Sequence, residues 1–208
     1  MKPLDACRPF IDALKSSDPT PGGGAVAGLA GALAGALAHM VGSLTVGKKK
    51  FAAVEDEMRE VMAKLDGIIE DFFALADDDA RAFDAYMAAW RLPKGTDEEK
   101  AARKEALKGA AFTACDPPLR TVRLTNDLLP LISFVAERGN QHAISDAGAA
   151  AILAAAAART AALNLRINLP SVAQADRPPL EDALSTLLPD VLTRAESLAS
   201  TVEHRLDT

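Results

Sequence analysis

Apolar residues recur at three- and four-residue intervals along most of the chain. No run of five or more residues alternates apolar and polar with β-branched or aromatic enrichment. The pattern predicts an all-α fold, a single-domain helical bundle over residues 1–208 with about six to seven helices and a Gly/Ala-rich central helix. A first helix over Leu4–Ser16 stops at the turn SSDPTPGGG, where Thr20 is placed to cap and Pro21 to take the first position of the next helix. That second helix runs Gly24–Val46, with Gly28, Gly31 and Gly35 on one side. Each Gly costs about 1 kcal/mol of helix propensity and lets a neighbouring backbone come close. A long helix follows from Ala52 to Trp90, broken by Leu92-Pro93-Lys94-Gly95. Thr96 and Glu99 have capping-box spacing and start a helix to Cys115. Asp116 and Pro117 start another to Arg138, which Gly139 ends. An Ala-rich helix spans Ser145–Asn168, and a Pro-containing connector, Ser171–Pro179, leads to a last amphipathic helix over Leu180–Arg205.

Composition sharpens this picture. Hydrophobic residues make up 49% and charged residues 25%, but aromatics only 4%, so small aliphatic side chains must fill the core and bring helices close together. Ala25–Val46 runs 22 residues without a formal charge, long enough for a bilayer core of about 30 Å. Its Ala and Gly content provides little transfer free energy and His39, Ser43 and Thr45 interrupt it, so a buried helix is expected, with no comparable second segment and no membrane partner. The net charge of −6 offers no general attraction for nucleic acid. Cys7 and Cys115 are too few for a disulfide framework and lack zinc-ligand spacing. The opening MKPLDACRPF lacks the apolar stretch of a signal peptide, and a cytoplasmic location is the expectation.

Four clusters carry candidate chemistry. Gly22, Gly23 and Gly24 open a helix, where free backbone N–H groups and the dipole favour an anion, although a plain tight turn reads equally from the same residues. Lys48, Lys49 and Lys50 follow the other end of that helix, as a solvated charge cluster or as a grip on a carboxylate or developing oxyanion. Asp77, Asp78 and Asp79 precede an aromatic stripe. Asp79, Phe83, Tyr86 and Trp90 fall at i, i+4, i+7 and i+11, either a cradle for a flat heterocycle or a core stripe beside a wet face. Adjacent carboxylates diverge on a helix, so no metal site is expected there. Asp146 and Asn164 share a face five turns apart, with Asn168 one turn on. At about 1.5 Å per residue the first two stand about 27 Å from one another, so one reacting atom cannot touch both unless a symmetry-related subunit completes the site. His39, His142 and His204 are scattered, and no Ser-His-Asp spacing is legible.

Three segments together resemble one family: PTPGGGAVAGLAGALAGALAHMVGSLTVGKKKF (Pro19–Phe51), DDDARAFDAYMAAWRLPKGTDEEKAAR (Asp77–Arg103) and GNQHAISDAGAAAILAAAAARTAALNLRINL (Gly139–Leu169). They are similar to the cyclodeaminase/cyclohydrolase family, which includes the cyclodeaminase half of formiminotransferase-cyclodeaminase and stand-alone methenyltetrahydrofolate cyclohydrolases. The resemblance implies an all-α bundle that forms a homodimer, a tetrahydrofolate derivative as substrate, and neither metal nor other cofactor. It implies hydrolysis of 5,10-methenyltetrahydrofolate, or alternatively release of ammonia from 5-formiminotetrahydrofolate; a non-catalytic folate-binding or helical assembly role is the third reading. On this resemblance Lys49, Asp79 and Asp146 are the candidate catalytic residues. Gly22, Gly23, Gly24, Lys50, Phe83, Asn140 and Asn164 are the candidate substrate contacts.

Overall fold

The computed structural model describes residues 2–208, which are helical with no strand among them. After a 3-10 turn at Pro3–Cys7, eight helices follow: α1 (Arg8–Leu14), α2 (Gly23–Ser43), α3 (Glu55–Trp90), α4 (Asp97–Thr113), α5 (Asp116–Arg138), α6 (Ile144–Asn168), α7 (Pro178–Asp182) and α8 (Leu188–Leu206). A π turn, Ala183–Leu187, joins the last two into the one amphipathic helix expected there. The capping box at α4 forms, with the Glu99 N–H donating to Thr96 Oγ1 at 3.2 Å and the Thr96 N–H to Glu99 Oε2 at 3.1 Å.

Three expectations need correction. Thr20 does not cap α2; Gly22 occupies that position without a side-chain hydrogen bond, and the helix starts at Gly23 rather than at Pro21. The long third helix begins at Glu55, not Ala52, because Lys49–Val54 form a 3-10 turn. Glu55 anchors that junction, accepting from the Gly47 N–H at 3.2 Å and from Arg59 at 2.6 Å, while Gly47 turns the chain at a φ of 74°. There is also a second helical stretch apolar enough to span a membrane by length and composition, Gln141–Ser171, beside Gly23–Ser43. About half of each is buried in the bundle, because α2 and α6 are its two central helices and pack on each other.

The small residues decide how closely these helices pack. A methyl group on Gly31 would lie 2.4 Å from the Phe72 ring, and one on Gly28 would lie 2.7 Å from the Phe72 carbonyl oxygen. Glycine therefore lets α3 settle its fully buried Phe72 directly on the α2 backbone. On the other side α6 buries Ala147, Ala150, Ala151, Ala154, Ala157, Ala158, Ala161 and Ala162. The two helices run antiparallel. Gly23, at the start of α2, meets Asn164 near the end of α6, while Thr45, just past α2, accepts from the Asn140 N–H at 2.9 Å. A smaller apolar cluster of Ala111, Cys115, Leu119, Leu165, Val172, Leu180 and Ala183 lies under the α4 side. Burial there pushes the Cys115 thiol up to about 11.

Candidate active site

The start of α2, the C-terminal third of α3 and the end of α6 enclose a cleft of about 390 Å³. Gly22, Gly23 and Gly24 form one wall, Asp79, Phe83 and Tyr86 a second, and Asn164 and Asn168 a third. Because the α2 N-terminus has no side-chain cap, its first-turn N–H groups are left as donors beside the cleft, at the positive end of the helix dipole.

Asp79 is the central group. Its carboxylate occupies the space a side chain on residue 24 would need, 2.0 Å from the position of a Gly24 Cβ, so only glycine fits there. The three consecutive aspartates behave differently because a helix turns each to a new direction. Asp77 is exposed beside Phe73 and Ala80, and Asp78 is paired with Arg81 and with Arg120 at 3.3 Å. Asp79 has no side-chain hydrogen bond or ion pair among the described residues, and its partial burial raises its pKa above the ordinary carboxylate value.

The amide residues around it are held in place. Asn164 Nδ2 donates to the Thr160 carbonyl at 3.4 Å and Asn168 Nδ2 to the Ala114 carbonyl at 3.1 Å, which leaves each side-chain oxygen without a recorded partner. Tyr86 and Asn168 were legible only as neighbours of chosen residues in the helical register, although both line the cleft. Trp90, the end of the aromatic stripe, is 53% exposed and lies outside it.

The structure brings together Gly22, Gly23, Gly24, Asp79, Phe83 and Asn164. It places Lys49, Lys50, Asp146 and Asn140 at the opposite end of the α2–α6 pair. Lys49 and Lys50 are exposed in the 3-10 turn after α2, and Asp146 lies in the first turn of α6, about 27 Å from Asn164. Asn140 is buried and serves as a joint between the two helices. Its Nδ2 donates to the Leu44 carbonyl at 3.2 Å, and its Oδ1 accepts from the His142 N–H at 3.2 Å. These four residues do not reach the Asp79 cleft within one chain.

The sequence spacing also concealed a Ser-His-Asp contact. His39 Nδ1 lies 3.3 Å from Ser43 Oγ and its Nε2 lies 3.4 Å from Asp66 Oδ1. It escapes notice because the aspartate comes from the neighbouring helix. None of the three residues lines the cleft.

The formiminotransferase-cyclodeaminase family model matches residues 6–179. A Methylorubrum extorquens protein named methenyltetrahydrofolate cyclohydrolase is 47% identical over 159 residues, covering 76% of each chain. Formimidoyltransferase-cyclodeaminase of Gallus gallus is 36% identical over 171 residues, which cover 82% of this chain but 31% of that protein. This chain therefore spans about a third of that longer relative. The crystal structure of formiminotetrahydrofolate cyclodeaminase from Thermotoga maritima superposes with a TM-score of 0.80 at 29% identity, covering 94% of this chain and 96% of that one. The all-α architecture, the matched segment and these relatives agree: the chain belongs to the formiminotransferase-cyclodeaminase family.

Proposed function

We propose that the protein is a methenyltetrahydrofolate cyclohydrolase, converting 5,10-methenyltetrahydrofolate and water to 10-formyltetrahydrofolate and a proton. The observation that carries the reading is the unpaired, half-buried Asp79 carboxylate, set against the α2 N-terminus and beside the Phe83 and Tyr86 rings. A flat, cationic ligand suits that arrangement, since the methenyl bridge is an amidinium and the rings offer a stacking surface. The 47% identity to a protein of that name supports the choice.

The chemistry needs placement more than power. Water adds to the bridge carbon while Asp79 accepts one of its protons, neutralising the cation as the tetrahedral adduct forms. The raised pKa brings Asp79 closer to neutrality, which makes it a better base than an ordinary carboxylate. The adduct then collapses. Its hydroxyl becomes the formyl carbonyl, the N5–C bond breaks with its electron pair going to N5, and N5 gains a proton. Lys49 donates that proton and recovers the one lost by the hydroxyl, leaving the proton on Asp79 as the net product. Asn164 and the Gly22–Gly24 backbone hold the pterin; Lys50 and Asp146 complete the charge around it.

Lys49 reaches Asp79 only if a second copy supplies it. An antiparallel homodimer across α2 and α6 sets the lysine end of one subunit against the Asp79 cleft of the other. Leu33 and Met40 on α2 and Ile152, Leu163 and Ile167 on α6 are exposed, and their burial favours such a pairing. Asn140 acts as a positioning residue, tying the lysine turn to α6. The free cysteines suit a cytoplasmic setting.

The test is loss of the methenyl absorbance on adding purified protein, against a buffer blank. Acceleration far above the blank is expected. An unchanged rate sinks the reading and favours its alternative, 5-formiminotetrahydrofolate cyclodeaminase, the name of the superposed Thermotoga structure. In that case formimino substrate yields ammonia and the same chromophore rises.

A further inference from the structure

Asp79 faces α5 as well as the cleft. On that side it closes a crevice too narrow for a water molecule, walled by Pro117, Pro118 and Thr121 of α5. The remaining walls, Gly24, Ala27, Leu75 and Ala161, bear no polar side chain. On the α5 wall no donor is free among the described residues. Pro117 and Pro118 are the second and third residues of α5, both buried, at positions where a helix ordinarily leaves its N–H groups unpaired. Proline has no N–H to offer. The Leu119 N–H donates to the Cys115 carbonyl at 3.1 Å, and the buried Thr121 hydroxyl donates to the Pro117 carbonyl at 2.9 Å. Any other residue pair at 117 and 118 would present free N–H groups to the crevice, and a carboxylate that accepts such bonds is held in its ionised form and is a weaker base.

No charge takes the place of the missing donors. Arg120, on the next turn of α5, is held by Asp78 at 3.3 Å and Asp116 at 3.4 Å. On α3 itself Asp78 also pairs with Arg81, and Asp77 lies in the groove beside Phe73. Neither α2 nor α6 brings a charged side chain to the crevice or the cleft, and Tyr86 is the one other titratable group lining either. We propose that Pro117 and Pro118 are positioning residues for Asp79: they close α5 against its carboxylate without giving it a backbone donor, and so keep it a strong proton acceptor. The proposal rests on the reading of Asp79 as the catalytic base.

Two measurements on the same variants test it, one of them independent of turnover. In protein labelled with carbon-13 at the aspartate carboxyl groups, the Asp79 signal is the one missing from Asp79→Asn, and its titration reports proton affinity directly. Pro117→Ala, Pro118→Ala and the double substitution each return an N–H to the crevice wall. The Asp79 titration is expected to move down by about one pH unit in the double variant and in at least one single variant, about a tenfold loss of proton affinity. Thr121→Val disturbs the same wall but returns no N–H, and its Asp79 titration is expected not to fall. In kinetics, the acid limb of kcat/KM should move down with the titration while plateau kcat drops about threefold, as a weaker base requires, with KM unchanged. A titration that stays or rises in the folded double variant overturns the proposal, and so does an equal fall in Thr121→Val. If the double variant does not fold, the single variants decide on the same criterion. If the titration falls while the acid limb stays, or while no folate turns over in the parent, the donor-free wall stands and the reading of Asp79 as the cyclohydrolase base has failed by itself.

Discussion

The two ends of the α2–α6 pair are built from the same kinds of element and do opposite things with their polar groups. At the Lys49 end, polar groups hold the fold: Thr45 bonds to the Val41 carbonyl at 2.6 Å, and Asn140 bonds to Thr45, Leu44 and His142. At the Asp79 end they are withheld from the fold. Among the described residues the α2 N-terminus has no side-chain cap, Asp79 has no partner, and Asn164 and Asn168 keep their oxygens free. Partly buried polar groups left without protein partners carry a desolvation penalty, so a fold that concentrates them in one cleft places them for a ligand. The lysines at the other end are exposed, with Lys50 over the Phe51 ring at 5.4 Å. The difference separates a structural joint from a reacting centre more sharply than residue type does, since both ends contain an Asn, an Asp and a helix terminus.

The largest expected break in this contrast is Asp79→Asn. It removes the base and keeps the shape, so kcat for methenyl hydrolysis should fall by roughly 10²–10⁴-fold while circular dichroism shows the same helix content. Activity within a few-fold of the parent removes Asp79 from the chemistry. Lys49→Ala should lose about 10–100-fold, and mixing the two variants sharpens the comparison further. In a shared-site dimer, half of the randomly reassorted dimers are hybrids, and one of the two sites in each hybrid regains both Asp79 and Lys49. Recovery of about a quarter of parent activity is therefore expected after unfolding and refolding the mixture. No recovery confines each residue to its own chain.

Much of the fold was legible because helical signals are local. The capping box at Thr96, the Pro and Gly stops, and the start and end of α5 at Asp116 and Arg138 all depend on residues within one turn of each other. The misplaced features depend on distant partners or on competition between turns. Thr20 has capping chemistry, yet the helix begins after it, and Glu55 draws back onto Gly47 to make a 3-10 turn where the apolar pattern continues as a helix. For the site, period-3.6 arithmetic put Asp79 and Phe83 on one face and Asn164 and Asn168 on another, and both faces line the cleft. It had no means of telling that Asp78, besides its local pairing with Arg81, is also claimed by Arg120, 42 residues away, while Asp79 turns into the cleft. Asn140 looked like a ligand contact for the same reason, its partners at Leu44 and Thr45 being almost a hundred residues distant in sequence.

Between the two ends, close packing at Gly31 carries the fold rather than the chemistry. Gly31→Ala gains helix propensity but forces a methyl against the fully buried Phe72 ring, so a net loss of about 1–3 kcal/mol in urea unfolding is expected. Any loss of activity should follow the loss of folded protein. A stabilised variant means that the α2–α3 contact has slack and that its closeness does not hold Asp79 against Gly24.

The smallest expected effect concerns Asp79 in two opposed roles. Burial raises its pKa in the folded protein, so folding favours the protonated form relative to the unfolded chain. The ionised carboxylate therefore lowers stability at neutral pH. That penalty lessens as pH falls through the raised folded value and is gone below the unfolded value of about 3.9. Catalysis runs the other way, because the base must be ionised, and kcat/KM should fall with acid over a limb displaced upward from that of a solvent-exposed Asp. Asp79→Asn removes the charge at every pH. The variant should melt a few degrees above the parent at neutral pH, and the gap should narrow as the solution is acidified through the limb where parent activity falls. Coincidence of those two transitions identifies one group as both the base and the source of the instability. A gap that does not change with pH separates them, and leaves the acid limb to a group outside the Asp79 cleft.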